Sequence, residues 1–126
     1  CDALAYAHQR KAGGQTIILH QSVKHRLFHM FRKVEAARAL VRRVADYNAS
    51  AVTPALQGSI ASKITATQTA FEVASEALQI FGGNGLTREY PVEKLLRDAR
   101  ACLIADGCNE VLALKGGHLL INPDLV

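Results

Sequence analysis

Tryptophan is absent from this sequence of 126 residues, and tyrosine and phenylalanine occur only three and four times. Nucleic-acid-binding domains usually combine a long basic stripe with aromatic side chains that stack on bases. Here fifteen basic residues against eleven acidic ones leave a net charge of only +4. The densest basic group lies between Lys24 and Lys33. We therefore interpret the basic residues as a solvent-exposed face and expect no nucleic-acid partner.

Long apolar runs are also absent. No segment approaches the roughly 18 residues that span a bilayer, and the first ten residues lack the charged-then-apolar layout of a signal peptide. We expect no membrane partner. The length of 126 residues fits a single domain. Because the chain begins at Cys1 inside an alanine-rich apolar pattern, we expect an upstream segment to be missing and residues 1–126 to be a fragment.

Cysteine is scarce, and the three thiols at Cys1, Cys102 and Cys108 include no short CxxC pair. An odd number fits a reducing compartment, so we expect bacterial cytoplasm or mitochondrial matrix, with Cys102 as a small buried hydrophobe. His25 and His29 share a helical face, but no HExxH glutamate or third ligand accompanies them. We predict no metal site.

Strand signals are few, because the only β-branched run is Thr16–Leu19, which is too short to support a sheet. Helical periodicity dominates instead. Apolar side chains recur in alternating steps of three and four over 23–44 and over 60–81. These segments predict two long antiparallel helices joined by a loop over 47–58, which contains Asn48, Pro54 and Gly58.

Three shorter segments complete the predicted fold. Ala3–Arg10 resembles the tail of a helix that ends before Gly13 and Gly14, and two further apolar patterns cover 91–104 and 109–120. Pro91 suits a first helical turn, because its missing amide would have no intrahelical partner there. The sequence predicts an all-α, four-helix up-and-down bundle with a broken last segment.

Polar and glycine-rich positions at the helix ends are the candidate functional sites. Gly82–Gly85 follows an apolar helix, where one glycine would suffice as a cap and three would let a ligand approach the backbone. Asp106–Gly107 is either a turn, with Asp106 accepting a free amide of the next helix, or the place of a general base. Arg10 is either a surface arginine or a ligand for phosphate.

Three stretches resemble one known family: AYAHQRKAGGQTIILHQ, QIFGGNGLTREYPVEKLLRDA and IADGCNEV. They are similar to the C-terminal helical domain of the flavin-dependent acyl-CoA dehydrogenases, from about Ala5 to about Leu114. The middle motif is long and highly specific. The resemblance implies a bundle that forms the third domain of a larger subunit, within a homodimer or homotetramer. It also implies FAD as cofactor, acyl-CoA as substrate and an electron-transfer flavoprotein as partner.

The resemblance also implies roles for individual residues. Asp106 occupies the place of the catalytic carboxylate, which removes the α-proton while the β-hydrogen leaves as hydride to the flavin, and its backbone amide would polarise the thioester carbonyl. Gly107 would adjoin the substrate. The residues that would contact FAD, several of them across a subunit boundary, are Arg10, His20, Gln21, Gln79, Gly82, Gly83, Asn84, Gly85, Cys108, Asn109 and Glu110.

Two departures from the family pattern leave alternatives open. Asp106 is one methylene shorter than the usual glutamate, so the base could instead come from an upstream helix, or the substrate could be a nitroalkane, as in the nitroalkane oxidase branch. Gly13 stands where the family commonly has phenylalanine, which removes an aromatic surface near the cofactor. A further alternative is a bundle that serves only oligomerisation.

Overall fold

The fold is mainly helical, as the sequence predicts. A computed structural model describes residues 2–122 of the chain. Its helices are α1 (Asp2–Gln9), α2 (Gln21–Ser50), α3 (Leu56–Phe81), α4 (Val92–Cys102) and α5 (Asn109–Ile121), with 3-10 turns at Ile17–Leu19 and Gly82–Leu86, and with two short antiparallel strands, β1 (Lys11–Ala12) and β2 (Gln15–Thr16).

Helices α2 and α3 run antiparallel along most of their lengths. Ion pairs cross between them from Arg26 to Glu76 and from Lys33 to Glu72. At the other end of the pair, Asn48 Nδ2 donates to Ser59 Oγ at 3.0 Å. The beginning of α2 therefore lies beside the end of α3, and the predicted antiparallel pair is confirmed.

The predicted loop over 47–58 is wrong at both ends. Helix α2 continues to Ser50 and α3 begins at Leu56, so Asn48 and Gly58 are helical. Asn48 closes the turn from within α2, because its Oδ1 accepts the Ala55 N–H at 2.7 Å. Gly58 faces Val44, where an added Cβ would lie 3.4 Å from the valine methyl groups. Both residues thus allow a tight connection between helices rather than a long loop.

Helices α4 and α5 lie end to end along α3 and form the predicted broken segment. Val92, at the start of α4, belongs to the same buried cluster as Phe81 at the end of α3. Farther along, Asn109 at the start of α5 bonds to Thr67 near the middle of α3. The two helices therefore run antiparallel to α3, with the interruption at 103–108.

The main core lies around the end of α3, where α1 packs parallel to it. The Tyr6 ring stacks on Phe81 with centroids 4.2 Å apart, and its hydroxyl donates to Phe81 O at 3.3 Å. Asn84 Nδ2 in turn donates to the Tyr6 hydroxyl at 2.9 Å. These contacts hold α1 against the glycine-containing turn that follows α3.

Much apolar surface remains outside this core. Phe28 and Phe31 on α2 and Leu114 and Leu120 on α5 each expose more than half of their surface. Within the part of the chain that the structure describes, no helix has the length and hydropathy required to cross a membrane. Exposed apolar surface of this extent is typical of faces that pack against other protein.

We predict that Gly85→Ala destabilises the fold by about 1–3 kcal/mol, as overpacked sites commonly do. An added Cβ would lie 2.9 Å from Leu78 O and from Phe81 Cβ. Gly83→Ala is the matched control, because no atom lies within 4 Å of the Cβ position there. Urea unfolding of both variants measures the difference. Equal losses of unfolding free energy would contradict the prediction.

Candidate functional site

The predicted site residues fall into two groups that lie far apart along α3. The first, here called the glycine end, comprises Arg10, His20, Gln21, Gln79 and Gly82–Gly85. The second, here called the carboxylate loop, comprises residues 103–108, and Asn109 and Glu110 follow it. Lys63 contacts this loop, and the rise of 1.5 Å per residue puts Lys63 about 27 Å along the helix axis from Phe81.

The glycine end has both a cap and open backbone. Gly82 terminates α3 with φ +59°, and its N–H bonds back to Leu78 and Gln79 carbonyls. At Gly82 and Gly83 a Cβ would meet no atom within 4 Å. Gly85 is different, since packing against Leu78 excludes a side chain there. A helix cap therefore explains Gly82. In addition, the backbone has open space beside it at both Gly82 and Gly83.

The histidine at this end is engaged within the chain. Gly13 and Gly14, at φ +62° and +79°, form the turn between β1 and β2. His20 Nε2 lies 3.0 Å from Ala12 O, and its Nδ1 lies 3.4 Å from Gln15 Nε2. These partners assign the proton to Nε2. Both ring nitrogens of His20 thus bond to residues of the hairpin. The face of the imidazole ring remains for the predicted contact with a cofactor.

Arg10 is the cationic group at the glycine end. It directly follows α1, its carbonyl accepts the Ile17 N–H at 2.8 Å, and its side chain is exposed. Within residues 2–122 its guanidinium makes no ion pair. Gln21 and Gln79 are also exposed. A planar guanidinium with free donors suits an anionic oxygen pair.

Asp106 lies in the carboxylate loop with a left-handed backbone. Its φ is +55°, Gly107 follows at +92°, and both residues are exposed. The turn interpretation is correct, but the N-cap position of α5 is Cys108, and Asp106 accepts no hydrogen bond from the described residues. The expected capping role of Asp106 is therefore wrong, because the left-handed pair sets it apart from the helix start. Its carboxylate faces solvent.

Lys63 secures this loop and was missed at the sequence level. Its Nζ donates to Cys102 O at 3.1 Å, Gly107 O at 2.9 Å and Asn109 Oδ1 at 2.8 Å. Asn109 is buried, and its Nδ2 donates to Thr67 Oγ1 at 3.0 Å. The predicted cofactor residue Asn109 thus has its side chain committed to α3. The sequence did contain a signal for this contact. Thr67 interrupts the apolar stripe of α3, Lys63 adjoins it, and residues four apart lie on the same side of a helix.

Two cysteines flank the loop in different environments. Cys102 is exposed, so the expectation that it is buried is wrong. Cys102 is the last residue of α4, and its carbonyl accepts a hydrogen bond from Lys63. Cys108 is half-buried and lies two residues before Glu110. Neither thiol forms a disulfide.

Glu110 has a lowered pKa, chiefly because its own backbone N–H donates to the carboxylate. The Cys108 thiol adds a second hydrogen bond, and the positive charges of Arg100 and Lys63 act in the same direction. The residue lies in the first turn of α5, where the helix dipole also favours a negative charge. The start of α5 thus favours the charged form of Glu110.

The two histidines considered as metal ligands contact each other instead. His25 Nε2 and His29 Nε2 are 3.0 Å apart, and Arg32 Nη2 lies 3.3 Å from His29 Nδ1. Loss of hydration lowers the pKa of His29, and the neighbouring positive groups add to the effect. Among residues 2–122, no three His, Cys, Asp or Glu side chains form a group that could hold a metal ion.

We predict that Glu110→Gln lowers the free energy of unfolding at neutral pH and that this effect diminishes as the pH falls. A carboxylate whose folded pKa is lowered contributes stability above its unfolded pKa, and this contribution is lost as the pH falls through the folded pKa. Urea unfolding between about pH 7 and about pH 3 measures the difference. Glu89→Gln, outside the helices, is the control. A difference that does not vary with pH would contradict the prediction.

Comparisons with known proteins match this arrangement to one family. The family model described as acyl-CoA dehydrogenase, C-terminal domain, matches residues 2–117. The short-chain-specific acyl-CoA dehydrogenase of Megasphaera elsdenii is 39% identical over 120 residues, which cover 94% of this chain and 31% of the relative. The chain therefore spans about a third of the length of that relative.

Solved structures agree on the fold. The butyryl-CoA dehydrogenase of Megasphaera elsdenii superposes with a TM-score of 0.89 at 36% identity, over 95% of this chain and 31% of that one. A structure described as the electron transferring flavoprotein of Acidaminococcus fermentans gives a TM-score of 0.88 at 32% identity, over 94% of this chain and 31% of that one. The chain belongs to the acyl-CoA dehydrogenase family, and it matches the C-terminal domain of that family.

Proposed function

We propose that the protein containing this chain is an FAD-dependent oxidoreductase that removes the α- and β-hydrogens of an acyl-CoA thioester. One observation carries the proposal: in a chain of this family, the exposed carboxylate of Asp106 lies on a left-handed turn that a network of hydrogen bonds secures from α3. A general base must be able to reach a substrate proton, and the exposure of this carboxylate supports that role.

Asp106 supplies two groups to the reaction. Its carboxylate takes the α-proton, so that the α C–H bond breaks and a carboxyl O–H bond forms. Its backbone N–H donates to the thioester carbonyl and stabilises the negative charge that develops there. Gly107, which has no side chain and φ +92°, lets the thioester approach this part of the backbone.

FAD fits the glycine end of the chain. Arg10 offers an exposed guanidinium for the pyrophosphate, and Gly82 and Gly83 offer backbone with open space above the Cβ positions. When bound, FAD supplies the acceptor for the hydride that leaves the β-carbon. From membership of the family, we propose an electron-transfer flavoprotein as the next electron acceptor.

The separation of the two groups supports a homo-oligomer. The glycine end and the carboxylate loop lie about 27 Å apart along α3, so one chain presents them to different places. We infer that in a dimer or tetramer the glycine end binds the cofactor of a neighbouring subunit, while the carboxylate loop serves the substrate of its own subunit. The exposed apolar faces of α2 and α5 are available for the packing that such an assembly requires.

We predict that Asp106→Asn slows reduction of the flavin by acyl-CoA by about 10²–10⁴-fold, the usual contribution of a general base. Asparagine tolerates the left-handed backbone, so FAD content and unfolding temperature remain unchanged. Asp46→Asn, at an exposed carboxylate in α2, is the control. Stopped-flow absorbance of the full-length flavoprotein measures the rate.

Two outcomes would contradict this assignment. An unchanged rate in Asp106→Asn would place the base on another residue, such as one on an upstream helix. Reduction of the wild-type flavin by nitroalkanes, but by no acyl-CoA in a panel of chain lengths, would instead favour the related nitroalkane reaction, in which an aspartate is the base.

We predict that Arg10→Met weakens FAD binding by about tenfold or more, because a charge-assisted hydrogen bond commonly contributes 1.5–3 kcal/mol. Lys11→Met, which removes the adjacent exposed charge, is the matched control. Flavin absorbance after dialysis of the full-length protein measures the retained cofactor. Equal retention in the two variants would remove Arg10 from the proposed pyrophosphate site.

A further inference from the structure

The Lys63 ammonium group joins both sides of the break between α4 and α5. It donates to Cys102, which is the last residue of α4, and to Asn109, which is the first residue of α5. Its third partner is Gly107, which follows Asp106. An ammonium group has three N–H donors and no acceptor. With three oxygen partners at 2.8 to 3.1 Å, the donor capacity of Lys63 is fully used by this one loop.

Backbone hydrogen bonds hold the two ends of the loop. Among the described residues, they run from Leu103 N to Arg100 O, from Ile104 N and Ala105 N to Ala101 O, from Asn109 N to Leu103 O and from Leu112 N to Cys108 O. None of them involves Asp106 or Gly107. The carbonyl of Gly107 is held by Lys63 alone within residues 2–122. The left-handed pair at 106 and 107 therefore depends on Lys63 for its attachment to α3.

A left-handed conformation is unfavourable for most residues with a side chain, although aspartate and asparagine adopt it more readily than the others. Such conformations persist where the surroundings hold them in place. Asn109 and Thr67 extend the hydrogen-bond network of the ammonium group, since Asn109 bonds to both Lys63 and Thr67. Asn109, which is buried, and Lys63 and Thr67, which are half-buried, thus connect the backbone beside Asp106 to α3.

We propose that Lys63 is a positioning residue for the Asp106 carboxylate, an inference that rests on the proposed function. It acts through the backbone of Gly107 and does not touch the substrate. Without it, the carboxylate loses its orientation toward the α-proton. A displacement of about 1 Å can lower a rate by about a hundredfold, which sets the scale of the expected effect.

The kinetic test uses the full-length holoenzyme and the variant Lys63→Met. The rate of flavin reduction per bound flavin, at saturating acyl-CoA, is expected to fall by about 10- to 100-fold while the KM changes little. Lys63→Arg retains the charge and several donors and is expected to recover part of the rate. If Lys63→Met does not fold, Lys63→Arg still tests the proposal, with an intermediate rate expected.

Lys33→Met is the matched control. Lys33 also reaches between helices, to Glu72, but Glu72 lies about 14 Å along α3 from Lys63. This variant is expected to keep the wild-type rate per flavin. A lysine that served only stability would change the unfolding temperature or the FAD content, and the rate per bound flavin would stay the same.

Hydrogen exchange provides a readout that needs no substrate. The amides of residues 104–109 are expected to exchange faster in Lys63→Met than in wild type or Lys33→Met. Unchanged exchange in Lys63→Met would overturn the proposal. Faster exchange with an unchanged rate per flavin would also overturn it, because the loop would then be ordered by Lys63 without consequence for the reaction.

The failure of the proposed function would be visible separately, in the wild-type protein. If no acyl-CoA reduces the wild-type flavin, the dehydrogenase assignment fails, and the positioning role in that reaction fails with it. Hydrogen exchange then shows whether Lys63 orders the loop. A wild-type flavin that is reduced, together with a Lys63→Met variant that reacts normally, contradicts the role of Lys63 alone.

Discussion

Packing around α3 is the constraint on which the rest of the structure depends. The helix is contacted by α2 on one side and by α4 and α5, laid end to end, on another, while α1 covers its last turn through Tyr6 and Phe81. Because α1, α2, α4 and α5 all pack against α3, the length of α3 sets the distance between the glycine end and the carboxylate loop. The homo-oligomer that we propose rests in part on that length.

The break between α4 and α5 shows how a polar network can maintain an unfavourable backbone conformation. Lys63 and Thr67 on α3 supply hydrogen bonds that replace those the helix would have made, with Asn109 buried between them. A buried polar group is stable only when its partners are present. In return, Asp106 remains exposed, in a conformation that a continuous helix would not allow.

The helices were largely predictable, because apolar residues repeat with the period of a helix and the repeat is visible in any local window. The connection over 47–58 was not, since Asn48 and Gly58 are typical of loops but here serve close contact between helices. The exposure of Cys102 and the place of Asp106 outside the cap of α5 were also missed. Each of these features depends on the local orientation of a single turn of the backbone, and residue composition does not determine that orientation.

The sequence alone determined the helices, the interruption before α5 and the family, because these depend on periodicity and on long contiguous motifs. Only the tertiary structure decided that the glycine end and the carboxylate loop are separated along α3, and that Lys63 holds the loop. The bond from Lys63 to Gly107 joins residues 44 positions apart. No local pattern specifies such a contact, since it exists only once α3, α4 and α5 have packed together.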